Sequence, residues 1–236
     1  MFNLKDKRVL VVGGSSGIGE GAAKAAAEHG ARVMIASRSE DKLRAAAARI
    51  GHDCETGVID TREDASVEAF FERAGTFDHV VMSAAQVTIA PVRTLSVADA
   101  QASMNSKFWG TYRVARAAQI ADSGSLTMIS GAAAVRATKG RALQTAINAA
   151  VEALTKGLAL EFSPVRVNTI SPGLVETPIW GNLDAARIAQ IHEMARRTPT
   201  GRVGQPEDIA LQILACMTNP FMTGSVIYLD GGYLLQ

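Results

Sequence analysis

A glycine-rich segment near the N-terminus places the strongest constraint on the fold of this chain. Residues 8–12 are a short run of valine, leucine and arginine that predicts one buried strand, and the alanine-rich residues 22–28 favour a helix. Between them lie Gly13, Gly14, Gly17 and Gly19. The N–H groups and dipole at the start of such a helix attract an anion, and the missing side chains let a pyrophosphate come close. A tight turn without a ligand is the alternative, but four glycines within seven residues are more than a turn requires.

Length and composition fit a single α/β domain with a large core. The chain has 236 residues, of which 47% are hydrophobic and 20% charged, as in ordinary globular proteins. A net charge of +1 gives no reason to expect nucleic acid or a membrane as partner. The chain has only two cysteines, Cys54 and Cys216, so we expect no disulfide framework. Its four histidines are scattered, and their spacing does not predict a metal site. With no signal peptide or bilayer-spanning run expected, we predict a cytoplasmic protein.

Strand and helix patterns alternate along the chain. Strands are predicted at residues 8–12, 31–36, up to 60, 77–82, 125–130, 165–170 and 226–229. Helices are predicted at residues 22–28, 40–50, 63–73, 96–120 (broken or continuous), 143–162 and 206–217. Such alternation implies a parallel sheet with crossover helices on both faces, and ligands then bind beyond the carboxyl ends of the strands. We find no repeat or linker, so residues 1–236 are predicted to form one domain.

Five segments resemble the short-chain dehydrogenase/reductase family, and the resemblance covers nearly the whole chain. They are the glycine segment 13–19, Asp60 after the third strand, residues 167–177, residues 201–208 and residues 223–232. The resemblance implies a Rossmann-type, doubly wound parallel sheet of about seven strands that binds a nicotinamide dinucleotide. The positions it implies for cofactor binding are Gly13, Ser15, Ser16, Gly17, Ile18, Gly19, Asp60, Ala84, Ala85, Pro172, Gly173, Val175 and Thr177.

The residues after the second strand favour NADP(H) over NAD(H). An acidic residue there would bind the ribose 2′-hydroxyl, whereas this chain has Ser37, Arg38 and Ser39. The serines can donate to a 2′-phosphate, and Arg38 can pair with its charge and stack on the adenine. Glu40 and Asp41 come later and suit the start of the next helix. A solvated loop charge is the alternative for Arg38.

The chain departs from the family at the positions that carry the chemistry. Relatives use an asparagine, a serine, a tyrosine and a lysine around the nicotinamide, with tyrosine as the acid/base. Aligning the helix after the fifth strand puts Gln144 at the tyrosine and Asn148 at the lysine, and Gly131 then takes the place of the serine. The spacing to Gly110 puts Lys107, rather than Asn105, at the asparagine. The resemblance thus predicts that lysine and asparagine have exchanged places, and we expect a hydrogen bond between Lys107 and Asn148.

Two hypotheses follow for function. The first is an NADP(H)-dependent oxidoreductase with an unusual polar site, using Lys107 as acid or reducing an activated C=C bond. The second is a non-catalytic NADP(H)-binding sensor or partner subunit. Gln144 can donate a hydrogen bond but no proton, and none of Tyr112, Tyr228 and Tyr233 is a convincing replacement. Intact cofactor segments beside four altered positions favour an occupied cofactor pocket over a decayed one, and the enzyme is the preferred of the two hypotheses.

Two further features are expected from the resemblance. Residues 178–200 correspond to the variable substrate lid, and their apolar side chains are Ile179, Trp180, Leu183, Ile188, Ile191 and Met194. A lid that closes over a small-molecule substrate is the prediction, and plain packing is the alternative. Arg136, Lys139 and Arg141 lie near the predicted substrate entrance, where a solvated basic loop is favoured over a site for an anionic substrate. Relatives pair through the helices at 96–120 and 143–162 and through the C-terminal strand, usually as tetramers, so a homotetramer or homodimer is expected.

Overall fold

The computed structural model describes residues 2–236, apart from the side chains of Ile179 and Asn182. Its centre is a seven-stranded parallel sheet with the strand order β3-β2-β1-β4-β5-β6-β7. The strands are β1 (Arg8–Val12), β2 (Arg32–Ser37), β3 (Glu55–Val58), β4 (Phe77–Met82), β5 (Ile120–Ile129), β6 (Arg166–Pro172) and β7 (Val226–Leu229). The order reverses between β1 and β4, which creates the crevice in which doubly wound sheets bind ligands.

Helices cover both faces of this sheet. They are α1 (Gly17–Glu28), α2 (Glu40–Ile50), α3 (Asp64–Ala74), α4 (Val97–Met104), α5 (Gly110–Ala117), α6 (Ala142–Glu161), α7 (Ala185–Arg196) and α8 (Pro206–Thr218). A five-residue π-helical segment, Asn105–Trp109, joins α4 to α5. None of the described helices is long and apolar enough to cross a bilayer.

Alternation along the strands divides the core into two layers. Val9 and Val11 of β1 face α1, α2 and α8, and their neighbours Leu10 and Val12 face α3, α5 and α6. All four side chains are fully buried. Because successive strand residues point to opposite faces, a strand covered by helices on both sides is apolar throughout. The predicted fold class, a Rossmann-type single domain with seven strands, is confirmed.

Three predicted boundaries were wrong. The helix expected to reach residue 120 ends at Ala117, because Ala118 adopts an extended conformation and Ile120 already pairs with Phe77 of β4. The fifth strand therefore begins at Ile120 rather than at residue 125, with an irregular register between Phe77 and His79. The third strand ends at Val58 rather than at residue 60. Asp60 instead lies in a turn stabilised by Ser66, whose hydroxyl accepts from the Asp60 N–H at 2.9 Å.

Candidate active site

The glycine segment forms a cradle at the carboxyl end of β1. Gly13 has a φ of +88°, and a Cβ there would lie 2.5 Å from the backbone nitrogen of Ala84 on the neighbouring strand connection. Ser16 precedes α1 in an extended conformation, and its side chain does not cap the helix. The first N–H groups of α1 are therefore free for a ligand, and only glycine lets the two backbones approach this closely.

A cavity of about 720 Å³ opens over this cradle. Its walls come from the ends of β1, β2, β4 and β5 and from the segment after β6. Ten of the predicted cofactor residues line it: Gly13, Ser15, Ser16, Gly17, Ile18, Ser37, Arg38, Asp60, Ala84 and Ala85. Thr177 lines it as well, and a Cβ on Gly17 would lie 3.2 Å from the Thr177 side chain. The cavity has the position and the backbone donors that a dinucleotide requires.

One end of the cavity is basic and offers an unsatisfied hydroxyl. The Ser37 Oγ atom is buried without a hydrogen-bond partner among the described residues. Arg38 and Lys42 line the same end, and Arg38 contacts the Gln86 side-chain oxygen at 3.3 Å. An anionic ligand group here would satisfy the hydroxyl and balance both cations, so these residues fit a ribose 2′-phosphate.

Asp60 is held by an ion pair within the cavity wall. Arg62 Nη2 lies 2.6 Å from Asp60 Oδ2, and this pairing, opposed by burial, lowers the pKa of the Asp60 carboxyl. Lys42 and Arg62 were missed by the sequence analysis. Neither belongs to a family motif, and only the fold brings them into the cavity.

Four predicted cofactor residues lie outside the cavity lining. Gly19 packs on the cradle itself, since a Cβ there would lie 2.2 Å from the Gly13 oxygen. Pro172 is the last residue of β6. Gly173 packs closely against Asp230, because a Cβ added to Gly173 would lie 2.7 Å from the Asp230 Cα. Val175 is buried and forms a bridge to Gly204. Their part in cofactor binding stays a prediction.

Lys107 and Asn148 meet at the carboxyl end of β5. The Lys107 ammonium donates to Asn148 Oδ1 at 2.7 Å and to the Ser130 backbone oxygen at 2.8 Å. The predicted hydrogen bond between the two residues is thus present. Lys107 lies in the π-helical segment, a kind of distortion that is frequent at functional sites, and Asn148 is 1% exposed on α6. Asn105 was the alternative candidate for the family's asparagine. Its side chain instead donates to the Arg62 backbone oxygen and accepts from Arg113.

The setting of Lys107 changes its acidity. Burial lowers the pKa of the Lys107 ammonium to about 8, although Glu152 acts in the opposite direction. Burial has this effect because a low dielectric disfavours the charged form. An amine with a pKa near neutrality can both hold and release a proton under ordinary conditions.

Gly131 and Gln144 flank this pair in different ways. The Gly131 backbone oxygen accepts from Asn148 Nδ2 at 3.3 Å, and a Cβ on Gly131 would lie 2.9 Å from the same nitrogen. Gln144 lies one helical turn before Asn148, but its side-chain oxygen accepts from Arg141 at 3.0 Å. The structure therefore brings Lys107, Gly131 and Asn148 into one hydrogen-bonded cluster, with Gln144 beside it.

A buried carboxylate next to this cluster was not predicted. Glu152 accepts hydrogen bonds from Ser130 Oγ at 2.6 Å, Ser171 Oγ at 2.8 Å and the Tyr228 hydroxyl at 3.0 Å. The Ser130 hydroxyl is directed towards Glu152, whereas its backbone oxygen accepts from Lys107. The sequence held one signal for Glu152: it follows Asn148 by four residues on the apolar face of α6.

The three basic residues near the predicted substrate entrance, Arg136, Lys139 and Arg141, differ in their contacts and exposure. Arg136 stacks on the Tyr233 ring at 4.6 Å, whereas Lys139 is exposed. Burial and the neighbouring charge of Arg187, on α7, lower the pKa of Arg141.

The lid segment consists of a 3₁₀ turn, Pro178–Asn182, followed by α7. Trp180 contacts the His192 ring edge-on at 5.9 Å between centroids, and Ile191 is buried. The predicted lid residue Ile179 has its side chain outside the described part. Lid closure stays a prediction.

Comparisons with known proteins agree with this architecture. A family model described as enoyl-(acyl carrier protein) reductase matches residues 12–234. The chain is 31% identical to a short-chain dehydrogenase/reductase, malC, of Malbranchea aurantiaca, with 99% of this chain and 96% of the relative covered. It is also 31% identical to the 3-oxoacyl-[acyl-carrier-protein] reductase FabG of Chlamydia muridarum, covering 97% of this chain and 98% of FabG.

A solved structure resembles the whole chain. It is a small-chain dehydrogenase crystallised in complex with NADPH, 32% identical in sequence, with a TM-score of 0.83. The alignment covers 98% of this chain and 100% of that one.

Proposed function

Because the chain belongs to the short-chain dehydrogenase/reductase family, we propose that it is an NADP(H)-dependent oxidoreductase whose proton donor is Lys107, held by Asn148. The observation that carries the proposal is the pair of hydrogen bonds from the Lys107 ammonium to Asn148 Oδ1 and the Ser130 oxygen, at 2.7 and 2.8 Å. They fix a cation at a position that the family resemblance assigns to a polar catalytic group.

Cofactor choice rests on the basic end of the cavity. Ser37, Arg38 and Lys42 offer a hydroxyl and two cations to a 2′-phosphate, and the solved relative in complex with NADPH has the same fold. The backbone N–H groups at the start of α1 would hold the pyrophosphate. When bound, NADPH supplies the hydride.

Lys107 has the donors that the reaction needs. An ammonium has three N–H donors, and the two hydrogen bonds to Asn148 and Ser130 leave one for a substrate oxygen. As a carbonyl carbon accepts a hydride, negative charge develops on the oxygen. Lys107 can stabilise this charge and transfer one proton to the oxygen, becoming a neutral amine that water reprotonates.

Gln144 complements this donor. Its side-chain oxygen is engaged by Arg141, which leaves its amide N–H groups for a second hydrogen bond to the substrate. With an activated C=C bond as substrate, the same two donors would stabilise an enolate oxygen, and carbon protonation would follow from water. Carbonyl compounds and enones are therefore the two substrate classes to test.

The experiment separates binding from turnover. NADPH affinity is measured by calorimetry, and NADPH oxidation is followed with a panel of small ketones, β-ketothioesters and enones. We expect NADPH binding by both the wild type and Lys107→Met. Turnover should be at least ~100-fold slower in Lys107→Met, as is usual for loss of a positioned acid. Lys156→Met, which removes an exposed lysine of α6, is the matched control and should be active.

The opposite results are equally informative. Equal turnover in Lys107→Met and wild type would remove Lys107 from the mechanism. Tight NADPH binding with no turnover of either substrate class would support a non-catalytic sensor or partner subunit, a role that the named relatives, all reductases or dehydrogenases, do not favour.

A further inference from the structure

The buried carboxylate of Glu152 has no role in the proposed function so far. Glu152 is 8% exposed, and no cation among the described residues forms a salt bridge with it. A buried carboxylate is costly unless hydrogen bonds and a nearby positive charge compensate it. Its three hydroxyl donors, Ser130, Ser171 and Tyr228, provide the hydrogen bonds.

Hydroxyl groups donate to both carboxylate oxygens of Glu152. Ser130 Oγ accepts from the N–H of Gly131, so its own proton is free to be donated to Glu152. Only the ionised form of a carboxyl group accepts on both oxygens and donates on neither. Burial and then Glu152 raise the pKa of the Tyr228 phenol, so this tyrosine is a neutral donor.

Ser130 connects this carboxylate to the Lys107 ammonium. Its hydroxyl donates to Glu152 at 2.6 Å, and its backbone oxygen accepts from Lys107 Nζ at 2.8 Å. Glu152 also follows Asn148 by one turn on the same face of α6, so both residues that hold Lys107 are adjacent to Glu152.

We propose that Glu152 is a positioning residue for the proposed acid: its carboxylate is the internal counter-charge of the Lys107 ammonium and, through Ser130, fixes the ammonium's position. The inference rests on the proposed function for its catalytic meaning, but the charge coupling exists whether or not turnover occurs.

The counter-charge explains why the half-buried Lys107 can stay protonated. Burial lowers the pKa of the Lys107 ammonium, whereas Glu152 raises it and so increases the fraction of the donor form at neutral pH. The ionisable groups that face Lys107 are therefore Glu152 of α6 and, behind it, Tyr228 of β7.

The test measures the acidity of Lys107 without a substrate. Trace labelling with acetic anhydride modifies only neutral amines, and peptide mass spectrometry between pH 6 and pH 10.5 gives the titration midpoint of each lysine. For the wild type we expect a Lys107 midpoint near 8. Glu152→Gln, which keeps shape but removes charge, should lower it by about one unit. Glu161→Gln removes an exposed charge from the same helix and should leave it unchanged.

A second variant covers the case in which Glu152→Gln does not fold. Tyr228→Phe removes one donor from the carboxylate, strengthens its field at Lys107 and should raise the midpoint by roughly 0.3 units. A Lys107 midpoint that is the same in wild type and in every folded variant overturns the proposal. A shifted midpoint in a protein without turnover would instead refute the proposed function alone.

Discussion

Lys107 and Asn148 are joined by a hydrogen bond of 2.7 Å, with the cation on the π-helical segment before α5 and the amide on α6. In the family that the chain belongs to, resemblance places an asparagine on the first of these helices and a lysine on the second. The structure shows the hydrogen bond itself, and the exchange of lysine and asparagine relative to the family stays a prediction of the resemblance. The proton chemistry proposed above depends on this hydrogen bond.

The first prediction concerns pH. Burial lowers the pKa of Lys107 to about 8, so the protonated donor dominates below this value and is lost above it. We expect kcat/KM for NADPH-dependent reduction to be level between pH 6 and pH 7.5 and to fall as the pH rises through about 8. The measurement is the pH profile of wild type beside that of Lys107→Met, whose residual activity should show no such fall. A wild-type profile that is flat to pH 10 would contradict the assignment.

The second prediction concerns the absence of a side chain at residue 131. Gly131 is extended, a conformation open to any residue, but a Cβ there would lie 2.9 Å from Asn148 Nδ2. Gly131→Ala should therefore displace Asn148 and destabilise the protein by about 1–3 kcal/mol, as overpacking in a filled site does. In an Asn148→Ala background the same change should cost close to nothing, because the clash is gone.

Urea unfolding of the four proteins in this cycle provides the measurement. Gly157→Ala is the control, since a Cβ at this exposed position in the interior of α6 meets nothing within 4 Å. Alanine should stabilise the helix there by about 0.5–1 kcal/mol. Additive costs of Gly131→Ala and Asn148→Ala would show that the two residues do not compete for space.

The third prediction concerns cofactor choice. Arg38 lines the basic end of the cavity beside the unsatisfied Ser37 hydroxyl, where its guanidinium can pair with a 2′-phosphate. Arg38→Ala should weaken NADPH binding about 10- to 100-fold and change NADH binding by less than ~3-fold, since only NADPH carries that phosphate. Arg44→Ala on the outer face of α2, where Arg44 pairs with Asp41, is the matched control. Equal losses for both cofactors would place Arg38 at the adenine alone.

The sequence predicts the fold more completely than it predicts the candidate site. Strands such as β1 and β4 follow from local apolar runs, and the glycine cradle follows from a contiguous motif, so both are local information. The helix predicted through residue 120 ended early because Ile120 pairs with Phe77, a tertiary contact that no local pattern contains.

The site shows the same division. The hydrogen bond between Lys107 and Asn148 could be predicted from helix register, because both positions belong to patterned helices. Glu152 could not, because its donors Ser171 and Tyr228 lie on β6 and β7 and meet it only in the folded chain. Lys42 and Arg62 likewise reach the cavity from separate loops and helices.

The fourth prediction concerns acid stability. His79 is 4% exposed and hydrogen-bonded to Ser125 at 2.9 Å, and burial lowers its pKa to about 4. The unfolded chain binds a proton at this residue below about pH 6.5, whereas the folded chain does not until about pH 4, so stability falls as the pH is lowered between these values. At pH 5 the loss from His79 should be about 2 kcal/mol.

Urea unfolding at pH 7 and pH 5 measures this loss. His79→Gln should lose about 2 kcal/mol less than the wild type between the two pH values, because glutamine does not titrate. His52→Gln, which removes an exposed histidine, should lose as much as the wild type. The same loss in His79→Gln as in the wild type would refute the prediction.

The fifth prediction concerns restoring the usual chemistry of the family. Gly131→Ser, Gln144→Tyr and Asn148→Lys together supply the serine, tyrosine and lysine, but the Lys107 ammonium already lies 2.7 Å from the Asn148 oxygen. Two ammonium groups would then share one site, and their repulsion would neutralise or displace one of them. Adding Lys107→Asn removes the conflict, so the quadruple variant should reduce ethyl acetoacetate with NADPH at least ~10-fold faster than the triple variant. The control carries the other three changes without Gln144→Tyr and should lack this gain, because it has no tyrosine acid.

Equal rates for the triple and quadruple variants would mean that Lys107 can leave the site freely. The ammonium would then not be the fixed group on which the proposed mechanism depends.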